Sequence, residues 1–478
     1  MLEPSSTVDA STGPTASRWR AEVIETLRLA LPMALTQLGQ VAMMTTDLML
    51  LGRLGDQVVA ATALAHTILF AAFVIGMGVV SAVAPLAAQG YGARQPRMVR
   101  RALRVGVWAS VLLGLPLSVV QLWGEPILIA LGQEPQNASI AQRYLEGLAW
   151  SLVPAWTFMA FRNFMSALDR PEPALWITLA AVPINGLLAY GLIHGVTGLP
   201  KLDVLGAGLA TTLVNIGMCV AAVVVAYACR PFRKYHVLGR FWVPDWELFR
   251  KLLIIGLPIS GAFMLEFGLF ATAALLMGRI GTTALAAHQI ALQTASVLFM
   301  VPFGIAMAAT VRVGQAVGRR DSRATREAGL VAIALGGAFM AVMTLAVVLS
   351  RDLVPSLFLG GTATAGARET AELAALLLLV GATFFIADGV QTIGAGALRG
   401  LNDTRVPLLF AGVSFWAIGF VAAYALGFHV MDHAAGVWVG LSLGIALYAV
   451  LLVWRFLWLT SRGYLPELAS PSVVAPVV

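Results

Sequence analysis

Charge and cysteine are what this sequence has least of. Only 12% of its 478 residues are Asp, Glu, Lys or Arg, where a soluble protein carries about a quarter, so a water-soluble globule is excluded. The two cysteines, Cys219 and Cys229, fall in or at the end of an apolar run, so neither a disulfide framework nor a thiolate metal site is expected. Enzyme signatures are also missing: there is no G-x-x-x-x-G-K-[ST] loop to power transport with ATP, no H-E-x-x-H metal motif and no G-x-S-x-G nucleophile elbow. Neither catalysis nor a cofactor is expected. Residues 1–20 are polar and lack the short apolar core of a cleavable signal, so they read as a mobile tail ahead of a first span that is retained.

Apolar sequence is abundant. It makes up 59% of the chain, with a mean hydropathy of +0.85, and runs of about 20 residues recur from end to end, long enough to cross a bilayer core of roughly 30 Å. Twelve spans can be drawn, over about 24–50, 58–85, 104–122, 144–167, 173–194, 205–228, 248–278, 284–310, 327–350, 370–396, 405–427 and 436–459. Each should be a helix, because backbone facing lipid must satisfy its own polar groups. The fold class is therefore an all-α polytopic membrane protein. Its 47 glycines suit helices that approach closely.

The formal net charge of +7 does not point to nucleic acid, because the basic residues sit in the connections that flank the spans. One set of connections holds Arg94, Arg97, Arg100, Arg101 and Arg104, then Arg170, then Arg230 to Lys251, then Arg312 to Arg326, then Arg399 and Arg405. The alternate set holds only Arg53, Arg143, Lys201, Arg279, Arg351 and Arg368. By the positive-inside rule the rich set is cytoplasmic, which places both termini inside.

The chain repeats itself. Leu31-Pro32 returns as Leu257-Pro258, Gly52-Arg53-Leu54-Gly55 as Gly278-Arg279-Ile280-Gly281, Gln89 and Gly92 as Gln315 and Gly318, and Arg94 as Arg320, all one period apart; further on, Asp169 and Pro173 pair with Asp403 and Pro407 at a slightly longer spacing. Each half holds an even number of spans, so the copies share one orientation and are related by a pseudo-two-fold axis along the membrane normal. The expected organisation is a first lobe over 21–229, a basic surface linker over 230–247, a second lobe over 248–460 and a tail over 461–478.

Superposing the halves shows where the repeat is broken chemically. Glu266, near the middle of the seventh span, falls on Gln40, and Asp47 falls on Ala273. An acidic residue at a helix centre costs about 2.5–3.5 kcal/mol on insertion scales and usually faces a bundle interior or an ion path. Glu266 and Asp388 in the second lobe, and Asp47 in the first, are the candidates for coupling to a cation or proton, with Asn185, Thr211 and Gln40 as supporting oxygen ligands. Close carboxylates can hold a sodium ion through oxygens or retain a proton, because ionising both is costly. The structural alternatives are snorkelling or capping for Asp47 and backbone hydrogen bonding for Asn185 and Thr211.

The stretches AAHQIALQTASVLFMVPFGIAMAATVRVGQAVGRRD (286–321), GALRGLNDTRVP (396–407), TTDLMLLGRLG (45–55) and PLAAQGYGARQ (85–95) resemble the multidrug and toxic compound extrusion family, in its NorM-type branch. The resemblance implies two six-helix lobes that open alternately to either side of a bacterial inner membrane. It also implies export of small cationic or amphipathic organic compounds in exchange for sodium ions or protons, by a monomer among membrane lipids with no nucleic-acid partner. By position, Asp47 matches the family's first-lobe acid, Glu266 its span-seven glutamate and Asp388 its span-ten aspartate. Asn185 and Thr211 match polar positions near Asp47. Phe384 stands where relatives often carry tyrosine, and Ala181 where some carry asparagine; each change removes an ion ligand. A flippase for lipid-linked sugars or other lipids is the alternative on a related architecture. It calls for a wide basic cavity, whereas polar residues deep in these spans, Arg162 apart, read as acidic or neutral.

Overall fold

The computed structural model describes residues 15–466 except 197, 199, 238, 240, 360–364 and 432. Most of the expected N-terminal tail, most of the C-terminal tail and Arg240 of the basic linker lie outside the described residues. No strand occurs among the described residues. Among the described residues the twelve long helices are α1 (Thr15–Gly52), α2 (Asp56–Ser81, continued by Val83–Gly92), α3 (Pro96–Gln121), α4 (Pro135–Leu148 and Leu152–Ala167, joined by a 3-10 turn), α5 (Glu172–His194), α6 (Asp203–Ala228), α7 (Trp246–Ile280), α8 (Thr282–Gly318), α9 (Ser322–Leu349), α10 (Ala365–Val380 and Ala382–Gly400), α11 (Arg405–Val430) and α12 (Ala434–Ser461), with short helices at Gly124–Ala130 and Leu353–Leu359 between them.

Nine of the described helices are each long and apolar enough to cross a membrane, and the two halves of α10, bent by 51° at Gly381, together form a tenth. The 38-residue α1 and the interrupted α4 complete the twelve. Helix α1 starts at Thr15, inside the stretch read as tail. The first part of the connection between α6 and α7 packs on the first lobe: Phe232 and Tyr235 are buried against Phe164, with ring centroids 5.9 Å apart in both pairs. Asp245 caps α7 by accepting from the Leu248 amide and also takes Arg101 and Arg104 of α3. Burial pushes the Asp245 carboxyl up, but hydrogen bonding and the charge of the two arginines hold it below the usual carboxylate range.

The lobes α1–α6 and α7–α12 meet along α1 with α8 and α2 with α7, and the seam is built from small residues. A Cβ on Gly78 would fall 2.3 Å from the Ser260 hydroxyl, and one on Gly304 would fall 2.7 Å from the Ala34 Cβ. These are the same contact seen twice, with the lobes exchanged. Toward the arginine-rich face the exchange becomes polar. Gln89 donates to the Gly400 carbonyl at 3.0 Å, and Gln315 donates to the Ala167 carbonyl at 3.2 Å. Both glutamines are at most 2% exposed.

The helix ends that supply these carbonyls close in the same way. Asp169 and Asn402 both adopt a left-handed backbone, at φ 59°. Asn402 donates to Gln89 at 3.0 Å, while Asp169 accepts from Gln315 at 2.8 Å. The structural counterpart of Asp169 is therefore Asn402 and not Asp403, which instead ion-pairs with Arg455 at 2.8 Å. Gly92 and Gly318 allow the close approach: a Cβ at either would stand 2.1 or 2.2 Å from the backbone carbonyl of Gln315 or Gln89 respectively.

Because backbone rather than a flexible side chain meets that Cβ, Gly92→Val and Gly318→Val should each cost about 2 kcal/mol through overpacking. Thermal unfolding in detergent measures this, and both variants should melt lower than Gly217→Val, whose Cβ would meet nothing.

Candidate functional site

Two acidic sites and one cavity lie inside this scaffold; Asp47 and Asp388 are buried, and Glu266 is half-buried. In the first lobe Asp47 of α1 is 5% exposed. One of its carboxylate oxygens accepts from Asn185 Nδ2 of α5, and the other accepts from the Thr211 hydroxyl of α6 at 2.8 Å. A buried carboxylate is tolerable when donors surround it. Only the NH2 of an amide can donate to it, so Asn185 Oδ1 is turned away and has no partner.

In the second lobe, Glu266 on α7 and Asp388 on α10 are joined by a side chain that the sequence reading did not single out. Gln391 Nε2 donates to Glu266 Oε1 at 2.7 Å and to Asp388 Oδ1 at 2.8 Å. Gln391 is 2% exposed, and its Oε1 has no partner. The site is a pair of carboxylates sharing one amide, with an unused carbonyl oxygen beside it. Phe384, one turn before Asp388, faces Phe270 and Trp438 at ring distances of 6.0 and 5.3 Å, so that side is closed by rings and offers no oxygen. Among the described residues no three His, Cys, Asp or Glu side chains gather as a metal site.

Between the lobes lies a cavity lined by Met33, Met77, Met159 and Met307, by Phe263 and Phe303, and by Arg162, Asn163 and Arg399. Methionine walls adapt to varied apolar shapes. Gln40, expected as a supporting ligand, accepts instead from Arg162 Nη1 at 3.4 Å, beside Gln37 at 2.6 Å. His288 accepts from Trp438 Nε1 at 3.1 Å as a packing residue.

Comparison with known proteins decides the family. A family model described as MatE matches residues 32–191 and 258–425, and the two segments begin at the prolines that the internal repeat aligns. The chain belongs to the MatE family. It is 61% identical over 472 residues to the probable multidrug resistance protein NorM of Rhodopseudomonas palustris, covering 98% of this chain and 99% of that one. It is 57% identical over 441 residues to the protein of the same name from Bradyrhizobium diazoefficiens, covering 92% and 94%.

Among solved structures, the eukaryotic MATE transporter AtDTX14 superposes with a TM-score of 0.81 at 20% identity, covering 93% of this chain and 98% of that one. A MOP superfamily transporter from Pyrococcus furiosus, whose binding pocket is described as reversed in polarity, superposes at 0.80 and 20% identity, covering 95% and 99%. At that identity they speak to the fold alone, and the fold is the MatE pair of six-helix lobes.

Within this MatE scaffold a further sequence assignment changes. Arg399, counted above among the loop arginines, lines the interlobe cavity, half-buried, with its guanidinium 4.9 Å from the Phe263 ring centroid. Deep positive charge is therefore not limited to Arg162. Gln391 had a legible signal: it follows Asp388 by three residues, which places both on one helix face.

Gln391→Leu leaves both carboxylates without their shared donor, and an unsatisfied buried polar group costs about 1–3 kcal/mol. Thermal unfolding should show that loss growing as pH rises, because the missing amide stabilises the ionised form. A loss that is independent of pH would count against a shared role.

Proposed function

We propose that this protein is a secondary active multidrug efflux transporter of the bacterial inner membrane. It exports cationic or amphipathic organic compounds in exchange for protons by alternating access. The observation that carries the reading is the Glu266–Gln391–Asp388 arrangement on α7 and α10. Two carboxylates held against one amide, one of them buried and the other half-buried, are costly to ionise together, so the pair is suited to retaining and releasing a proton as its surroundings change. The relatives named as multidrug resistance proteins at 61% and 57% identity support the substrate side of this reading, as does the methionine- and phenylalanine-lined cavity between the lobes.

A sodium ion is the competing coupling ion. It would be held by Glu266, Asp388 and the unpartnered Gln391 oxygen, or by Asp47, Thr211 and the unpartnered Asn185 oxygen. Phe384, an apolar wall where an oxygen ligand would help, favours the proton. Entry of the coupling ion neutralises the pair, and ion and cationic compound then compete for that charge as the lobes rock. The lobes proposed are 21–229 and 248–460, joined by the 230–247 linker, with the arginine-rich face and both termini in the cytoplasm. The protein acts as a monomer surrounded by lipid.

A lipid-linked sugar or other lipid flippase is favoured by one observation, the pair of arginines in the cavity. Everted vesicles separate the readings. Under an imposed proton gradient, wild type should accumulate a lipophilic monocation, and Glu266→Gln should reduce uptake to that of vesicles lacking the protein while remaining inserted. Asp47→Asn, assayed in parallel, shows whether the first-lobe acid carries the coupling instead. Uptake driven by sodium alone, or normal uptake by Glu266→Gln, contradicts the proposal.

A further inference from the structure

The turns that follow α2 and α8 hold equivalent places in the two lobes, with Arg94 and Arg320 both in left-handed backbone, yet they are completed differently. In the second lobe the chain completes the turn itself. Asp321 caps α9 by accepting from the Ala324 amide at 2.9 Å, and Arg320 Nη1 donates to the Pro466 carbonyl at 3.2 Å, where the chain leaving α12 folds back. In the first lobe Gln95 stands in the place of Asp321, and its side chain makes no cap to α3. Arg94 has no hydrogen-bond or ion-pair partner among the described residues. Between this turn and the chain leaving α6 there is instead a cavity of about 330 Å³, whose polar lining is Tyr91, Arg94, Gln95, Lys234 and Tyr235.

No Asp or Glu lines that cavity. Arg94 and Lys234 are exposed, whereas Tyr235 is 6% exposed, with its ring set edge-on to Phe164 and 5.4 Å from Lys234 Nζ. The Tyr235 hydroxyl has no hydrogen-bond partner among the described residues, and it is not sealed in by its neighbours. Burial and the neighbouring Tyr91 phenol push its pKa up to about 12, so at neutral pH it is a donor. A buried donor without a partner is costly, and here it stands beside two cations that lack a counter-charge.

From this arrangement we infer that the cavity binds the phosphate of an anionic phospholipid headgroup, with Arg94 and Lys234 supplying charge and Tyr235 a directed hydrogen bond. The lipid brings to the first lobe the negative charge that Asp321 brings to the same helix start in the second. Basic pockets at the membrane face of helix bundles suit such headgroups. The linker that carries Lys234 and Tyr235 also exposes Trp242 and Trp246, at 82% and 67%, and exposed indoles sit at headgroup level. This favours a lipid over a soluble phosphate. The site shares no lining residue with the interlobe cavity, so it stands apart from the export reading.

Native mass spectrometry of the full-length protein, released from micelles holding equal amounts of phosphatidylglycerol and phosphatidylcholine, tests the site. Wild type should retain one tightly held lipid with about a tenfold preference for phosphatidylglycerol, as two basic residues at a headgroup would give. The preference should fall to about one in the double variant Arg94→Gln, Lys234→Gln and be weakened in Tyr235→Phe. The pair Arg319→Gln, Arg320→Gln removes the same charge from the second lobe and should leave the preference unchanged. No preference in wild type overturns the inference, as does a preference that survives the first double variant or is lost equally in the second. Inorganic phosphate at the concentration of the lipid should displace none of it; displacement would make the occupant a soluble phosphate and overturn the lipid assignment.

Discussion

Two glutamine side chains, each reaching across the seam to a helix-end carbonyl of the other lobe, set the conformation in which everything else is arranged. Gln89 on Gly400 and Gln315 on Ala167 are buried, and a buried amide left without a partner is expensive. This closure is therefore satisfied as a unit or broken as a unit. Gly92 and Gly318 bring the backbones close enough for both bonds to form, and the Arg312–Glu22 pair spans the same seam nearby. A contact made of a few directional bonds between rigid lobes suits a face that opens and closes, because it gives two discrete arrangements rather than a continuous range.

On that symmetric frame the charges are placed unequally. The first lobe holds one carboxylate satisfied by two neutral donors; the second holds two carboxylates that share one. On the proposed reading, a proton or cation bound by the second lobe would remove a repulsion that the first lobe does not have. Differential binding of this kind is the only way a ligand can shift an equilibrium between two conformations. On the same reading, the cavity between the lobes is the place where such a shift would change what a transported molecule encounters.

Much of this was legible in the sequence, because duplication leaves a long-range pattern that needs no structure to be seen. The pairs Gln89–Gln315, Gly92–Gly318 and Arg94–Arg320 mark the closure, and both arginines adopt the same left-handed turn, at φ 54° and 58°. The buried acids were legible because apolar helices make a lone carboxylate conspicuous. Reading by composition failed where position along a helix was ambiguous. Arg399 lies near the end of α10 and read as a loop residue, yet its long side chain reaches back into the cavity. Asp403 looked like the mate of Asp169, but one extra residue in the second turn gives that place to Asn402. Gln391 was passed over because a neutral amide costs less in an apolar helix than a charge and so stands out less. The 51° bend at Gly381 has no proline to announce it.

The central claim is that the state of the Glu266–Asp388 pair governs whether the arginine-rich face is closed. Spin labels at Arg94 and Arg320, exposed and equivalent in the two lobes, report that closure as a distance in lipid. The account predicts that the proportions of short and long distances change with pH in wild type and stop changing when Glu266 and Asp388 are both replaced by their amides. A distance distribution that ignores pH in wild type, or that still follows pH in the doubly substituted protein, would contradict it.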